Sequence, residues 1–365
     1  MELLTVKMEH QVYLMSGQAK LKTLVLSVII SALLASCAEK ETSYSSFKIK
    51  GETQGTTYSI IIVDDNVNVS KGDIDSIFTR FDNSLSTYVP NSVISKLNMG
   101  IGVTSVNDES GFFKRCYQIS QKVYAKSNGA FDPSVFPLVK SWGFMTNVES
   151  PLSQQEVDSI LRFVSFSHGV IHEVTFDGDA IELSKKNSNF KIDFNAIAQG
   201  LSVDVIDEFL KKKGYINYYI EIGGELIVRG HNREGKKWRI GVDVPKENLT
   251  SRELENIMVL SDKAVATSGN YRKFYEIDGQ KYAHTLNPKT GFPVQHSLLS
   301  ATVVTNDAAS ADGYATVFMV MGVEKTLRFV KDNGDLGLDV YLLYSDKKGI
   351  VQRKMSSNFE KYLNQ

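Results

Sequence analysis

Two spacings of apolar residues occur along the chain, one typical of helices and the other typical of short strands. Apolar positions three or four residues apart predict helices over 74–86, 91–98, 108–127, 153–163, 196–213, 308–321 and 323–331, and the chain ends in a further short helix. Alternating or short continuous apolar runs predict strands near 47–63, 170–175, 180–184, 190–193, 217–222, 225–230, 237–243, 257–260, 264–267, 271–277, 281–286, 299–305, 338–344 and 349–353, with a loop-rich aromatic stretch over 129–144. These elements do not alternate regularly, which favours an α+β fold over a doubly wound one.

Composition narrows the possible functions. The 365 residues include 41 Lys and Arg against 42 Asp and Glu, and this balance indicates no nucleic-acid partner. Two cysteines exclude a disulfide scaffold and a cysteine-rich metal site. One of them, Cys116, shares a predicted helical face with Phe113 and Tyr124, so we expect a buried core thiol rather than a reactive one. Residues 47–365 contain no repeat or linker, so we predict one composite domain there.

The N-terminal segment has the features of an export signal. Lys20 and Lys22 precede an uncharged, largely apolar run over 23–36, which is shorter than the roughly 20 residues that span a bilayer. The run ends in Leu34-Ala35-Ser36-Cys37, which resembles a bacterial lipobox. We therefore predict a lipoprotein signal peptide over 1–36, lipid on Cys37 and a polar tether over 37–46, with the protein anchored to a membrane and facing the periplasm or the cell exterior. The alternative is an ordinary signal peptide that ends near a cysteine.

The start of the helix predicted at 196 is a candidate anion site. A predicted strand ends at Asp193, and the N–H groups in the first turn of the following helix have no partner inside the helix. The small residues Ala196, Ala198 and Gly200 would allow a ligand such as a phosphate to come close. The alternative is a capped helix that packs closely on a sheet.

Two further segments combine small and polar residues. Gly223-Gly224 joins two apolar runs, which indicates either a tight hairpin with positive φ angles or a backbone that a ligand approaches closely. Thr267-Ser268-Gly269 follows a short predicted strand, in a loop that could offer hydroxyl and N–H groups.

A third segment pairs a carboxylate with a hydroxyl. Asp312 and Thr316 are four residues apart on a predicted helix, so both oxygens lie on one face. A carboxylate with a hydroxyl suits a hard cation such as Mg²⁺. The alternative is a hydrogen bond within the helix.

His284, late in a predicted strand, could be catalytic or structural. His168 and His172 are four residues apart, a spacing that on a helix would allow both to bind one metal ion. The strand-like sequence after them argues against a helix, and therefore against a metal site there.

Taken together, these segments resemble the ApbE family of FAD:protein FMN transferases. The resemblance covers most of 51–322, and its motifs occur in family order. They are Gly55-Thr56-Thr57-Tyr58, Leu85-Ser86-Thr87-Tyr88 with Asn98, Gly129-Ala130-Phe131-Asp132-Pro133, the 193–200 helix start, Gly223-Gly224, Ala266-Thr267-Ser268-Gly269-Asn270-Tyr271, His284-Thr285-Leu286-Asn287-Pro288 with Thr290-Gly291, and Ala311-Asp312 to Thr316.

The resemblance implies a composite, T-fold-like α+β domain with FAD in a cleft and Mg²⁺ on the diphosphate. The enzyme would move FMN from FAD to a threonine hydroxyl of a target protein and release AMP. His284 would take the proton from that hydroxyl, and Asp312, Thr316 and the carbonyl of Ala196 would bind Mg²⁺. The implied FAD-binding residues are Gln54, Tyr88, Ala130, Phe131, Asp132, Asp193, Gln199, Thr267, Ser268, Gly269 and Leu286.

The chain differs from the family pattern at several places. Gln54 stands where the family often has Met, Gln199 where it has Lys or Glu, Asn195 where it has Gly or Ser, and Asn287 where it has Asp. The family also implies acceptor proteins in membrane redox complexes. Two other functions remain open: a hydrolase that splits FAD into FMN and AMP, and a non-catalytic FAD-binding lipoprotein.

Overall fold

A computed structural model describes residues 43–143, 151–243, 254–270, 274–277, 280–283 and 285–363, and residues 44–365 form one compact unit. The strands are β1 (Ser46–Thr53), β2 (Thr56–Val63), β3 (Val103–Asn107), β4 (His172–Asp177), β5 (Ala180–Lys185), β6 (Tyr218–Ile222), β7 (Glu225–Arg229), β8 (Trp238–Asp243), β9 (Leu254–Leu260), β10 (Lys263–Gly269), β11 (Phe274–Ile277), β12 (Gln280–Ala283), β13 (Leu298–Thr305), β14 (Asp339–Ser345) and β15 (Val351–Met355).

The helices are α1 (Lys71–Leu85), α2 (Val93–Met99), α3 (Phe112–Lys126), α4 (Phe136–Ser141), α5 (Gln154–Leu161), α6 (Ala198–Lys212), α7 (Ala308–Met321) and α8 (Val323–Asp332). Short 3₁₀ helices cover Pro133–Val135, Gly334–Leu336 and Phe359–Tyr362. Within the described part of the chain, no helix combines the length and the apolar character that a membrane crossing needs.

An eight-stranded antiparallel sheet in the order β1-β2-β6-β7-β10-β13-β14-β15 is the centre of the fold. Its central strands are buried on both faces, which explains their nearly continuous apolar runs. In β14, Val340 and Leu342 belong to the main core, whereas Tyr341 and Leu343 belong to a second core with the β8–β9 hairpin. Alternate residues of the central strands thus contribute to the two cores on opposite faces of the sheet.

Helices α6 and α7 pack against one face of this sheet and against each other. Their buried residues join those of α1, α3 and the separate β3-β5-β4 sheet in the main core. A small third core forms where Leu138 of α4 and Val157 of α5 meet Trp142 and Leu286. The mixed architecture agrees with the predicted α+β class.

Side chains cap the starts of several helices. Ser153 and Glu156 form a capping box at the start of α5, and Ser92 caps α2. Asp108 accepts a hydrogen bond from the N–H of Phe113 in the first turn of α3, although the N-cap position itself is Gly111. Cys116 is fully buried, as predicted, and burial raises the pKa of its thiol.

The strand predicted over 190–193 is wrong. The N–H of Ile192 donates to Oδ1 of Asn98 at 2.8 Å, and the carbonyl of Ile192 accepts from the side-chain amide of Asn98 at 2.7 Å. The N–H of Asp193 donates to the carbonyl of Pro133. The extended backbone there bonds to a side chain and a loop instead of a strand. Other differences are the strand β3 and the helix α4, which we did not predict, and the start of α6 at Ala198 rather than Ala196.

His168 and His172 do not share a helix, because His168 lies in a turn and His172 in a strand. His172 starts β4, stacks on Phe190 at 4.3 Å between ring centroids and lies 3.1 Å from the Tyr117 hydroxyl. Burial lowers its pKa to about 4, so the ring is neutral at physiological pH. It is a core histidine, as the strand-like sequence indicated.

Candidate active site

An open cleft of about 490 Å³ brings together segments that are far apart in the sequence. Among the residues that the structure describes, those lining the cleft come from the start of α6, one face of α7, the β6–β7 turn, the end of β10 and three loops. The sequence-predicted residues that line it are Tyr88, Ala130, Phe131, Asp132, Asp193, Ala196, Gln199, Thr267, Ser268, Gly269, Leu286, Asp312 and Thr316. Two predicted residues, His284 and Cys37, lie outside the described residues, and Gln54 does not line the cleft.

The carboxylate of Asp312 lies at the contact between α6 and α7. Its Oδ2 accepts a hydrogen bond of 3.1 Å from the N–H of Gly200, the third residue of α6. That N–H has no partner inside the helix, and here it donates to a side chain of the same protein, Asp312. Asp312 is buried, and the loss of solvation raises the pKa of its carboxyl. Thr316, one turn later, is half-buried in the same wall.

Glu225 is a cleft residue that the sequence analysis missed. It begins β7 directly after the Gly223-Gly224 turn and is 8% exposed. Burial, and then the negative charge of Asp312, raise the pKa of its carboxyl well above the usual range. Among the described residues, its Oε2 has no hydrogen-bond partner. The sequence signal was a single carboxylate at a buried position of the apolar run ELIVR.

The cleft wall that the structure describes is strongly acidic. It carries the carboxyl groups of Asp132, Asp193, Glu225 and Asp312, and among the residues that line it there is no lysine or arginine. An anionic ligand in this cleft would therefore need a cation beside it. No group of three or more His, Cys, Asp or Glu side chains with metal-binding geometry occurs in the described ranges. A cation site here would need hydroxyl or carbonyl oxygens as well as carboxylates.

Asp193 shapes the turn that leads into α6. Its Oδ1 accepts the N–H of Asn195 at 2.7 Å, and its Oδ2 accepts the side-chain amide of Asn195 at 3.2 Å. Desolvation raises the pKa of its carboxyl to about 6. Asp193 does not cap α6, because Ile197 is the N-cap residue and α6 has no side-chain cap. The turn instead exposes Ala196 in the cleft wall.

Asp132 orders the loop on the opposite wall. Its Oδ1 accepts the N–H and the hydroxyl of Ser134, and its Oδ2 accepts the N–H of Phe166 at 3.3 Å. Burial raises the pKa of this carboxyl to about 6. Asp132 therefore has a structural role in addition to its position in the cleft.

The Thr267-Ser268-Gly269 segment is a strand end rather than the predicted loop. It is the last part of β10, where Ser268 pairs with Ala301 and Gly269 with Ser300 of β13. The hydroxyl of Thr267 lies 2.8 Å from that of Thr302. Antiparallel pairing with β13 uses part of the backbone that we expected to be free.

Gly223 and Gly224 form the tight hairpin with positive φ angles that the sequence suggested as one possibility. They form the two-residue turn of the β6–β7 hairpin with φ angles of 63° and 110°. A Cβ atom on Gly223 would collide with the side-chain amide of Gln199 and would lie 2.9 Å from the Thr56 methyl group. The turn is therefore a hairpin that also lets the side chain of Gln199 lie against the backbone beside the cleft.

Gln54 lies behind Gln199. Its Oε1 accepts a hydrogen bond of 3.5 Å from the hydroxyl of Ser202, which also donates to the carbonyl of Gln199 at 2.7 Å. Its buried Nε2 has no hydrogen-bond partner among the described residues. Tyr88 differs from all of these residues because it lines the cleft while its side chain is 71% exposed.

Comparisons with known proteins agree with the motifs. The family model described as "ApbE family" matches residues 54–342. An FAD:protein FMN transferase of Haemophilus influenzae is 32% identical over 349 residues, covering 94% of this chain and 98% of that protein. A protein of the same name from Vibrio cholerae is 30% identical over 339 residues, covering 91% and 96%.

Solved structures are similar over the same part of the chain. The flavin transferase ApbE from Vibrio cholerae has a TM-score of 0.75 and 29% identity, covering 88% of this chain and 100% of that one. The apo form of the flavinyl transferase ApbE from Pseudomonas stutzeri also has a TM-score of 0.75 and 29% identity, with coverages of 88% and 97%.

Proposed function

Because the chain belongs to the ApbE family, we propose that it transfers the FMN part of FAD to a threonine hydroxyl of a target protein and releases AMP. The observation that carries the proposal is the cleft. Segments that the family motifs assign to FAD and metal binding, and that lie more than 200 residues apart, line one cavity.

The cleft offers different surfaces to the different parts of FAD. The aromatic side chains of Tyr88 and Phe131 and the apolar side chain of Leu286 suit a flat ring system. The turn before α6, with Asn195, Ala196 and Gln199, suits the polar phosphate groups. The unpartnered Nε2 of Gln54 is a hydrogen-bond donor directly behind this turn.

The residues present also fit a hard divalent cation. Asp312 and Thr316 offer carboxylate and hydroxyl oxygens and Ala196 offers a backbone carbonyl, and Mg²⁺ prefers oxygen ligands. The acidic wall, without lysine or arginine among its described residues, requires such a cation before a diphosphate can bind. When bound there, Mg²⁺ would neutralise the diphosphate and the charge that develops as its phosphorus is attacked.

The transfer itself needs a base and a protein acceptor. The threonine hydroxyl of the target would form a bond to the FMN phosphorus while the bond to AMP breaks, and His284 would take the hydroxyl proton. A lipid on Cys37 would keep the enzyme on a membrane, facing outward, where it meets acceptor proteins of membrane redox complexes.

The proposal can be tested with the purified enzyme, FAD, Mg²⁺ and a flavin-acceptor domain. Mass spectrometry of the acceptor should show the addition of one FMN, and the small-molecule fraction should contain AMP. Replacement of the acceptor threonine by valine is the matched control and should prevent the mass gain. Free FMN and AMP with an unmodified acceptor would instead identify a hydrolase.

A further inference from the structure

The Glu225 carboxylate is placed where a buried charge is costly. Along β7 the side chains alternate, so Glu225 is on the same face as Ile227, which belongs to the main core beneath α6 and α7. Asp312 of α7 lies on that side of the sheet as well, and both carboxylates belong to the wall of the cleft.

A purely structural role would leave one carboxylate oxygen of Glu225 without compensation, because the backbone N–H of Glu225 reaches the carboxyl but Oε2 has no donor. Buried carboxylates in proteins are normally paired with a cation or bound by several donors. In the described residues, Oε2 of Glu225 has no donor, and the charge that acts most strongly on this carboxyl is the negative charge of Asp312. By contrast, Glu221 on the same hairpin accepts the N–H of Gly224 at 2.9 Å.

We propose that Glu225 is part of the divalent-cation site of the cleft and supplies its second negative charge beside Asp312. This inference rests on the proposed function, because the cation is the Mg²⁺ that accompanies FAD. Two carboxylates would balance the two charges of Mg²⁺ before the diphosphate arrives. The unpartnered Oε2 would then have a positive group to face, directly or through a water bound to the metal.

The experiment measures metal binding rather than turnover. Mn²⁺ serves as the probe, and the free ion is followed by electron paramagnetic resonance while the full-length chain is titrated with and without FAD. Glu225→Gln keeps the size of the side chain and removes its charge, so the affinity for Mn²⁺ should fall by about tenfold or more. Glu221→Gln, the same substitution four residues earlier, should stay within about twofold of the unchanged chain.

Thermal unfolding without metal provides the second measurement. Glu225→Gln keeps the shape of the buried side chain, so its metal-free melting temperature should not fall, whereas the increase that Mg²⁺ causes in the unchanged chain should shrink. A Glu225→Gln chain that does not fold, or that melts at a lower temperature without metal, would overturn the proposal, because the carboxylate would then be part of the fold.

The outcomes also separate this inference from the proposed function. If the unchanged chain binds no Mn²⁺ even with FAD, the cation in the proposed function is wrong. If the unchanged chain and Glu225→Gln bind Mn²⁺ equally well, only the role of Glu225 is wrong. FMN transfer is measured separately by mass spectrometry, so a failure of the role of Glu225 can be told apart from a failure of FMN transfer.

Discussion

The N–H of Gly200 donates a hydrogen bond of 3.1 Å to Oδ2 of Asp312, and this bond joins the start of α6 to α7. Such a short approach is possible because residue 200 has no side chain. A Cβ atom there would lie 2.8 Å from the Cβ of Asp312 and would collide with the carbonyl of Ala308. The glycine therefore determines how close Asp312 lies to the turn before α6.

Gly200→Ala should destabilise the fold and the cation site together. Forcing a methyl group into this helix contact costs about 1–3 kcal/mol of unfolding free energy, and the shift of α7 should weaken Mg²⁺ binding as well. Urea denaturation and a Mg²⁺ titration of activity measure the two effects. Gly72→Ala is the matched control, because a Cβ atom at that helical glycine meets nothing closer than 3.6 Å. It should be neutral or stabilising by up to about 1 kcal/mol. Equal stability of the two variants would contradict the steric argument.

Tyr88→Ala should weaken FAD binding without weakening the fold. The side chain is 71% exposed, so its removal should change the unfolding free energy by less than about 0.5 kcal/mol. Loss of an aromatic surface for a flat ring should reduce the affinity for FAD by about tenfold. Flavin fluorescence titration measures this change. Ile101→Ala, at an 80% exposed position that does not line the cleft, should leave FAD binding unchanged.

Much of the fold was predictable because its signals are local. The capping residues Ser92 and Ser153 mark helix starts, and the buried runs of β13 and β14 identify central strands. The cleft was predictable for a different reason. Its motifs occur in family order, so Asp132, Asp312 and their partners could be assigned to one site without knowing how the chain brings them together.

The rest depends on contacts between distant residues. The 190–194 segment has the apolar residues of a strand, but Asn98, more than 90 residues away, bonds to the backbone of Ile192. The alternation of burial in β3 is weak, since Val103 is exposed and no residue of that strand is fully buried. In the sequence Glu225 is one residue of a predicted strand, and nothing near it in the chain shows that its carboxyl lies close enough to Asp312, on another element, for the two charges to interact.

Asp204 should make stability depend on pH. It accepts the N–H groups of Ala308 and Ala309 at the start of α7, at 2.7 and 2.9 Å. Burial, and then the charge of Asp307, raise its pKa to about 7, while Arg115 and the two N–H groups oppose this increase. A raised carboxyl pKa in the folded state means that its contribution to stability is complete below about pH 4 and is lost as the pH rises to about 7.

Asp204→Asn cannot titrate and should remove this part of the pH dependence. We expect the decrease in unfolding free energy between pH 4.5 and pH 8 to be smaller in Asp204→Asn than in the unchanged chain. Asp132 and Asp193, whose pKa values are raised to about 6, should still cause a residual decrease. Urea denaturation at several pH values measures the difference. Parallel curves for the two proteins would show that Asp204 does not have the raised pKa.

Cys37→Ser tests the lipid anchor. If Cys37 carries lipid, the variant should leave the membrane fraction or accumulate as an uncleaved precursor. FMN transfer by the purified Cys37→Ser protein should equal that of the purified unchanged protein. Fractionation followed by immunoblotting measures the first effect. Normal membrane retention of Cys37→Ser would contradict the lipoprotein prediction.

The final prediction separates metal ligands from the base. Asp312→Asn keeps an oxygen that can accept the Gly200 N–H but removes the charge, so it should abolish FMN transfer at ordinary Mg²⁺ concentrations. Thr316→Val loses only a neutral ligand and should raise the Mg²⁺ requirement with a smaller loss of rate. His284→Ala should keep the Mg²⁺ requirement and lower the maximal rate by about 10²–10⁴-fold, the usual contribution of a general base.

A Mg²⁺ titration of activity distinguishes these roles because they change different parts of the curve. A lost ligand moves the midpoint to higher Mg²⁺, whereas a lost base lowers the plateau at saturating Mg²⁺. Circular dichroism of each variant checks that the fold is intact. If Asp312→Asn gives the midpoint and the plateau of the unchanged chain, Asp312 is a buried helix carboxylate that only binds Gly200, and the cation must be held elsewhere. If His284→Ala moves the midpoint instead of the plateau, His284 is not the base.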